Sequence, residues 1–83
     1  MWPELHAKPL VDIYPNPAST ELVISANNFQ PQWLTVYDLN GRRIAQQKFV
    51  QKLDISKLSA GAYFIEIRGA DASVTKRFVK LTE

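Results

Sequence analysis

The sequence offers few side chains that could do covalent or metal chemistry. It contains no cysteine, and its one histidine is His6, near the start of the chain. A serine nucleophile needs a general base beside it, and a zinc ion needs several nitrogen or sulfur ligands. The residues that follow His6 supply neither. We therefore expect no catalytic residue, no metal ligand and no cofactor site.

The carboxylates are scattered along the chain rather than paired. A glycosidase would need two carboxylates on either side of a cleft, and short strands leave little room for one. Asp38 and Asp54 lie at or next to the ends of apolar runs, and Asp71 lies between two runs, so a calcium ion held between loops is one hypothesis. The alternative, which we favour, is that these aspartates form turns and solvate strand edges.

Aromatic residues suggest a second kind of binding surface. Alternation of side chains along a strand would put Trp33, Tyr37 and Phe64 on an outer face. Exposed rings could stack on sugars, which makes a carbohydrate-binding or adhesion module the alternative function. The interpretation we favour is that both faces of a thin sandwich carry aromatic residues for cross-strand packing.

The elements that must position these residues are short strands. Seven runs of alternating apolar and polar residues are separated by turn residues, with a spacing typical of a β-sandwich. The runs are Leu10–Tyr14, Glu21–Ala26, Trp33–Asp38, Arg42–Lys48, Val50–Ile55, Ala62–Arg68 and Ser73–Leu81. They predict an all-β fold in which seven antiparallel strands form a sandwich.

The same alternation predicts which residues form the core. The inward set is Leu22, Ile24, Leu34, Val36, Ile44, Leu53, Ile55, Tyr63, Ile65 and Ile67. The last run has no clean apolar face, because Val74 and Phe78 alternate in step with Lys76 and Lys80. This pattern is typical of an edge strand, where lysines discourage pairing with other sheets.

Length and charge limit the range of functions. The chain has 83 residues, 46% of them hydrophobic, and a net charge of +2. One domain fits this length, and we expect it to span residues 10–83, after a leader, linker or added segment at 1–9. The basic residues are spread out, unlike the clustered charge of a nucleic-acid-binding protein. Their bias toward Lys76, Arg77 and Lys80 indicates either a solvated strand or a docking surface.

Two connections have residues that define turns. Asp38, Asn40 and Gly41 suit a type I turn that ends in a left-handed glycine, and a two-residue type I′ turn on Asn40 and Gly41 also fits. Pro15 and Pro17 must end the first strand because they lack a backbone N–H.

Structural roles can also be predicted for Asn16, Ser56 and Tyr63. Asn16, between Pro15 and Pro17, would bond its own backbone. Ser56 could cap a single helical turn that Gly61 ends. Tyr63 then either bonds back to that corner, as in immunoglobulin-like sandwiches, or only fills the core with its ring.

Five motifs occur in an order that resembles one protein family. They are Ile13-Tyr14-Pro15-Asn16-Pro17-Ala18, Val36-Tyr37-Asp38-Leu39-Asn40-Gly41-Arg42, Leu53-Asp54-Ile55-Ser56-Lys57-Leu58, Gly61-Ala62-Tyr63-Phe64-Ile65 and Thr75-Lys76-Arg77-Phe78-Val79-Lys80. With this order and spacing, residues 10–83 resemble the type A C-terminal sorting domain of the type IX (Por) secretion system. The resemblance implies a seven-stranded Greek-key sandwich of immunoglobulin-like form and a function without catalysis.

The resemblance also implies an export route. Such a domain lies at the C-terminus of a larger cargo protein of the Bacteroidetes, reaches the periplasm, and is recognised by an outer-membrane translocon and its shuttle protein. A surface sortase would then cut upstream of Leu10, and the cargo would reach the cell surface or the medium. The family's motif positions correspond to Pro15, Asn16, Pro17, Asp38, Gly41, Gly61, Tyr63, Lys76 and Lys80.

The last strand is the expected docking surface. Lys76, Arg77 and Lys80 would give it a positive charge that steers it to an acidic partner. As an edge strand it would also be able to pair with a strand of the receptor, or with a second copy of the domain to form a dimer.

Overall fold

Residues 8–82 are described by a computed structural model as seven β-strands. The strands are β1 (Leu10–Tyr14), β2 (Glu21–Asn27), β3 (Pro31–Asp38), β4 (Arg43–Lys48), β5 (Lys52–Asp54), β6 (Gly61–Gly69) and β7 (Ser73–Lys80). Each overlaps its predicted run. Most of the expected leader, with His6, lies outside the described residues. No helix long and apolar enough to cross a membrane occurs in residues 8–82.

The strands form two antiparallel sheets. One has the order β1-β2-β5 and the other the order β4-β3-β6-β7. The chain passes between the sheets after β2, after β4 and after β5, so that β2 pairs with β5 and β3 with β6. Such pairing of non-consecutive strands is typical of Greek-key, immunoglobulin-like sandwiches. The predicted fold class is confirmed.

The core lies between the two sheets and is built from alternate residues of the strands. Its buried apolar members are Val11, Ala18, Leu22, Ile24, Leu34, Val36, Leu53, Ile55, Tyr63, Ile65, Ile67 and Phe78. Nine of the ten predicted core residues are in this set. Alternation therefore identified the inward faces of β2, β3, β5 and β6.

Ile44 is the predicted core residue that is not buried. Its side chain is 43% exposed, and the whole of β4 is exposed. The pairing of β3 with β4 shifts, because Val36 faces Ala45 and Tyr37 faces Arg43. This β-bulge leaves Ile44 without a partner on β3 and interrupts the alternation from which burial was predicted. The prediction for Ile44 was wrong for that reason.

The faces of β7, which the sequence left ambiguous, are clear in the structure. Phe78 is completely buried and stacks on Tyr63 of β6, with ring centroids 5.5 Å apart. The even-numbered residues of β7 thus share the inward face with Phe78. β7 is an edge strand of the four-stranded sheet, as predicted.

Candidate functional site

The loop between β1 and β2 lies against the outer edge of β7. The side-chain amide of Asn16 donates from Nδ2 to the Arg77 carbonyl oxygen at 3.1 Å, and its Oδ1 accepts from the Val79 N–H at 3.0 Å. This pair of bonds is what the backbone of a neighbouring strand would make with β7. The sequence analysis predicted that Asn16 would bond its own backbone, and that prediction was wrong. The Asn16 side chain instead covers part of the exposed edge of β7.

Ala18 continues this cover with its own backbone. Its N–H donates to the Val79 carbonyl at 2.9 Å, and its carbonyl accepts from the Leu81 N–H at 2.8 Å. Ala18 forms a parallel bridge with Lys80 and is 1% exposed. The end of β7 is thus paired on both sides, and a free strand cannot add there unless the loop moves.

The three basic residues of β7 lie in different surroundings. Lys76 and Arg77 are exposed, and as consecutive strand residues they point to opposite faces of the sheet. Lys80 is only 3% exposed, and its Nζ donates to the Leu81 carbonyl at 2.9 Å. Because Lys80 alternates in step with Phe78, it belongs to the inward face. The prediction that Lys80 adds charge to an exposed strand was wrong.

The β3–β4 turn is built around Asp38. The Gly41 N–H donates to the Asp38 carbonyl at 3.0 Å, and Gly41 has a φ of 82°. Asn40 is not among the described residues with positive φ. A type I′ turn needs positive φ at both central positions, so the type I turn ending in a left-handed glycine is confirmed.

The carboxylate of Asp38 fastens this turn. Its Oδ1 accepts from the backbone N–H of Asn40 and of Arg42, each at 2.9 Å, and Oδ2 accepts from Arg42 Nε at 3.3 Å. The hydrogen bond from the Arg42 backbone is the main cause that lowers the pKa of Asp38 below its usual value. Asp38 thus has a structural role in the hairpin.

The connection from β5 to β6 contains the predicted tyrosine corner. The Tyr63 hydroxyl donates to the Ser59 carbonyl oxygen at 2.6 Å, which ties β6 to the corner before it. The predicted helical turn was wrong. Instead, Asp54 Oδ1 accepts from the Ser56 N–H at 2.9 Å, so Asp54 rather than Ser56 organises the turn. Hydrogen bonds from Ser56 lower the pKa of Asp54.

The register of the four-stranded sheet brings the distant motifs to one end of the sandwich. Asp38 is opposite Tyr63 on β6, Gly61 is opposite Lys80 on β7, and Lys80 is opposite Ala18. Gly61, with a φ of 145°, begins β6 at this end. These motif positions therefore form a cluster at one end of the sheet, in two cross-strand rows that are two residues apart along β6. Lys76, further along β7, lies away from that cluster.

Ala18, which is opposite Lys80, belongs to this cluster and was not singled out by the sequence. Its small side chain fits where the loop approaches β7 closely. A small residue directly after Pro17 is the one local sign of that approach.

The acidic residues considered for calcium do not form a cluster: in residues 8–82 no three His, Cys, Asp or Glu side chains are grouped as metal ligands.

A family model described as the secretion system C-terminal sorting domain matches residues 12–81. The match begins within β1, extends past the end of β7, and includes Asn16, Asp38 and Tyr63. A comparison with curated proteins gives no match.

Proposed function

Because the chain belongs to the family of type IX secretion system C-terminal sorting domains, we propose that it directs an attached cargo protein through that system's outer-membrane translocon. The observation that carries this proposal is the family match across residues 12–81. Membership of the family implies export toward the cell surface or the outside. In this proposal the domain acts as a signal that the secretion machinery binds.

The proposed route starts in the periplasm, where a shuttle protein and the translocon recognise the folded domain. A surface sortase then removes it from the cargo. The backbone supports a cut on the N-terminal side of Lys8, because Asn28 Nδ2 donates to the Lys8 carbonyl at 2.8 Å and holds the chain there. Such a cut would leave all seven strands intact.

The proposed docking surface is the exposed part of β7. Lys76 and Arg77 provide positive charge for an acidic partner. The part of the edge that Asn16 and Ala18 cover is not available for strand addition. A receptor strand could pair only near Ser73 and Thr75, where the odd-numbered residues of β7 point their backbone groups away from β6. We therefore propose recognition through side chains of a closed edge.

The electrostatics of the domain support a function without catalysis. A carboxyl group that acts as a general acid needs a raised pKa. Asp38, Asp54 and Glu66 have lowered pKa values, caused mainly by hydrogen bonds from Arg42, Ser56 and Arg68 respectively. Their hydrogen-bonding capacity serves turns and cross-strand contacts. This is the chemistry of a stable scaffold.

The proposal is tested by fusing the chain behind a signal peptide and a fluorescent protein. The fusion is expressed in a bacterium with a working type IX system and in a translocon-deficient mutant of it. Surface or medium fluorescence in the first strain alone is the expected result. An intact, folded fusion that stays in the periplasm of both strains would overturn the proposal.

A further inference from the structure

The outer face of the four-stranded sheet carries a groove whose chemistry differs from that of the β7 end. β3 supplies its floor and walls, with Thr35 between Trp33 and Tyr37, and the neighbouring strands β4 and β6 supply polar side chains. The groove has a volume of about 550 Å³, which lies in the range of small-ligand sites. Thr35 is 4% exposed, whereas Trp33 is 43% exposed.

Hydrogen bonds hold the polar side chains of the groove in place. Glu66 Oε1 accepts from the Tyr37 hydroxyl at 3.4 Å, and Oε2 accepts from Arg68 Nη2 at 3.1 Å and from Ser73 Oγ at 2.9 Å. On the other side, Arg43 Nη1 donates to Gln46 Oε1 at 3.2 Å. Side chains that are already ordered lose less entropy when a ligand binds. The groove is thus prepared for a ligand.

The backbone excludes one class of ligand from this groove. β3 and β6 are central strands, and each pairs with a neighbour on both sides. Their backbone N–H and C=O groups are therefore used within the sheet, and a peptide strand cannot add to them. Recognition must come from side chains. An exposed indole with hydrogen-bonding arginine, glutamate and glutamine beside it suits a sugar ring, because the C–H face of the sugar can stack on the indole while its hydroxyl groups bond to the polar side chains.

The charge of this face indicates which saccharides fit. The cross-strand register places four cationic side chains on the face, at Arg43, Lys48, Arg68 and Arg77. Glu66 is the carboxylate on the same face, and Arg68 already bonds it. A guanidinium group binds a carboxylate through two parallel hydrogen bonds. We propose that the groove binds an acidic saccharide, one whose sugar rings carry carboxylate groups.

This inference is independent of the proposed export function and is tested on the isolated 83-residue chain. The probes are trigalacturonate, the neutral cellotriose, and a triglutamate peptide that has similar charge without sugar rings. Binding is measured by isothermal titration, and the site by NMR shifts of the Trp33 indole N–H. Trp33→Ala is matched with Tyr14→Ala on the other sheet, and Arg68→Gln with Lys52→Gln. Melting temperatures check that each variant is folded.

We expect trigalacturonate to bind more tightly than both other probes and to shift the Trp33 signal. Trp33→Ala and Arg68→Gln should each weaken binding about tenfold, the scale of one lost stacking or paired-charge contact. The two controls should change it less than about twofold, which is within a few tenths of a kcal/mol. No binding of trigalacturonate would overturn the inference. Equal binding of cellotriose or triglutamate, or equal losses in the controls, would overturn it as well.

Discussion

β4 and β7 are the two edge strands of the same sheet, and they are held in different ways. All six residues of β4 are exposed, whereas β7 buries Phe78 and Lys80 and is covered along its last residues by Asn16 and Ala18. β4 is attached to the sheet by its pairing with β3 and by the Asp38–Gly41 turn.

The difference between β4 and β7 shows which edge of the sheet depends on long-range contacts. Residues more than 60 positions apart meet at β7, through the Asn16 side chain, so this edge forms only in the complete fold. β4 depends mainly on a local hairpin. We expect an edge-paired dimer of the isolated domain, if it forms, to use β4, because the loop does not cover it.

The largest difference between the two strands should appear when an apolar side chain is removed from each. Phe78→Ala leaves a cavity between the sheets and should lower the free energy of unfolding by about 3–5 kcal/mol. Ile44→Ala removes an exposed side chain and should change it by less than about 1 kcal/mol. Urea unfolding of both variants measures the difference. Similar losses would mean that β4 is packed as closely as β7.

A smaller loss is expected when the β4 turn is damaged. Gly41→Val forces a β-branched residue to the positive φ of 82°, which should cost about 1–3 kcal/mol. Gly41→Asn is the matched control, because asparagine tolerates this conformation, and should cost clearly less. Thermal melting compares the two. Equal melting temperatures for valine, asparagine and the original glycine would contradict the turn as described.

The cover of β7 is tested by removing the amide that makes it. Asn16→Ala loses two hydrogen bonds to β7 and should lower the unfolding free energy by about 1–2 kcal/mol. Amide hydrogen exchange of Val79, whose N–H is bonded by Asn16, should become faster. Asn40→Ala in the β4 turn is the control, since the turn uses the backbone of Asn40. Unchanged exchange at Val79 would show that Asn16 does not hold the edge.

The smallest effect concerns pH and the cross-strand contacts of Glu66. Hydrogen bonding from Arg68 lowers its pKa below the usual 4.5, so its ionised form stabilises the folded state. That contribution is complete above pH 4.5 and is lost as the pH falls through the lower folded pKa. Glu66→Gln should therefore be less stable at neutral pH and lose less stability on acidification. Parallel pH profiles for both proteins, measured by urea unfolding, would contradict this.

Local patterns predicted most of this fold. Alternation located all seven strands, and the residues of the Asp38–Gly41 turn and the Tyr63 corner predicted hydrogen bonds that span only four positions or fewer. The errors arose where the burial of a residue depends on its pairing with another strand. A bulge in the pairing with β3 exposed Ile44, and nothing near Ile44 in the sequence marks it.

The same reason explains the errors at the candidate site. The hydrogen-bond partners of the Asn16 side chain, Arg77 and Val79, are 61 and 63 positions away. An interpretation from neighbouring residues therefore predicted, wrongly, that Asn16 bonds within its own turn. Lys80 looked like an exposed charge because lysine usually is exposed. Its burial follows from the register of β7 against β6 and from the bridge to Ala18. The sequence showed that Lys80 alternates in step with Phe78, but it did not show which face of β7 is inward or that Ala18 covers the end of the strand.

The central claim is the proposal that the chain is an export signal recognised through β7. It is tested most directly by reversing the charge on one edge strand at a time. Lys76→Glu with Arg77→Glu changes β7, and Arg43→Glu with Lys48→Glu changes β4 by the same charge. Surface fluorescence of the fusion protein is measured in the type IX-competent strain, after melting temperatures confirm that both variants fold. The β7 variant should stay in the periplasm while the β4 variant is exported. Export of both, or retention of the β4 variant alone, would contradict the claim.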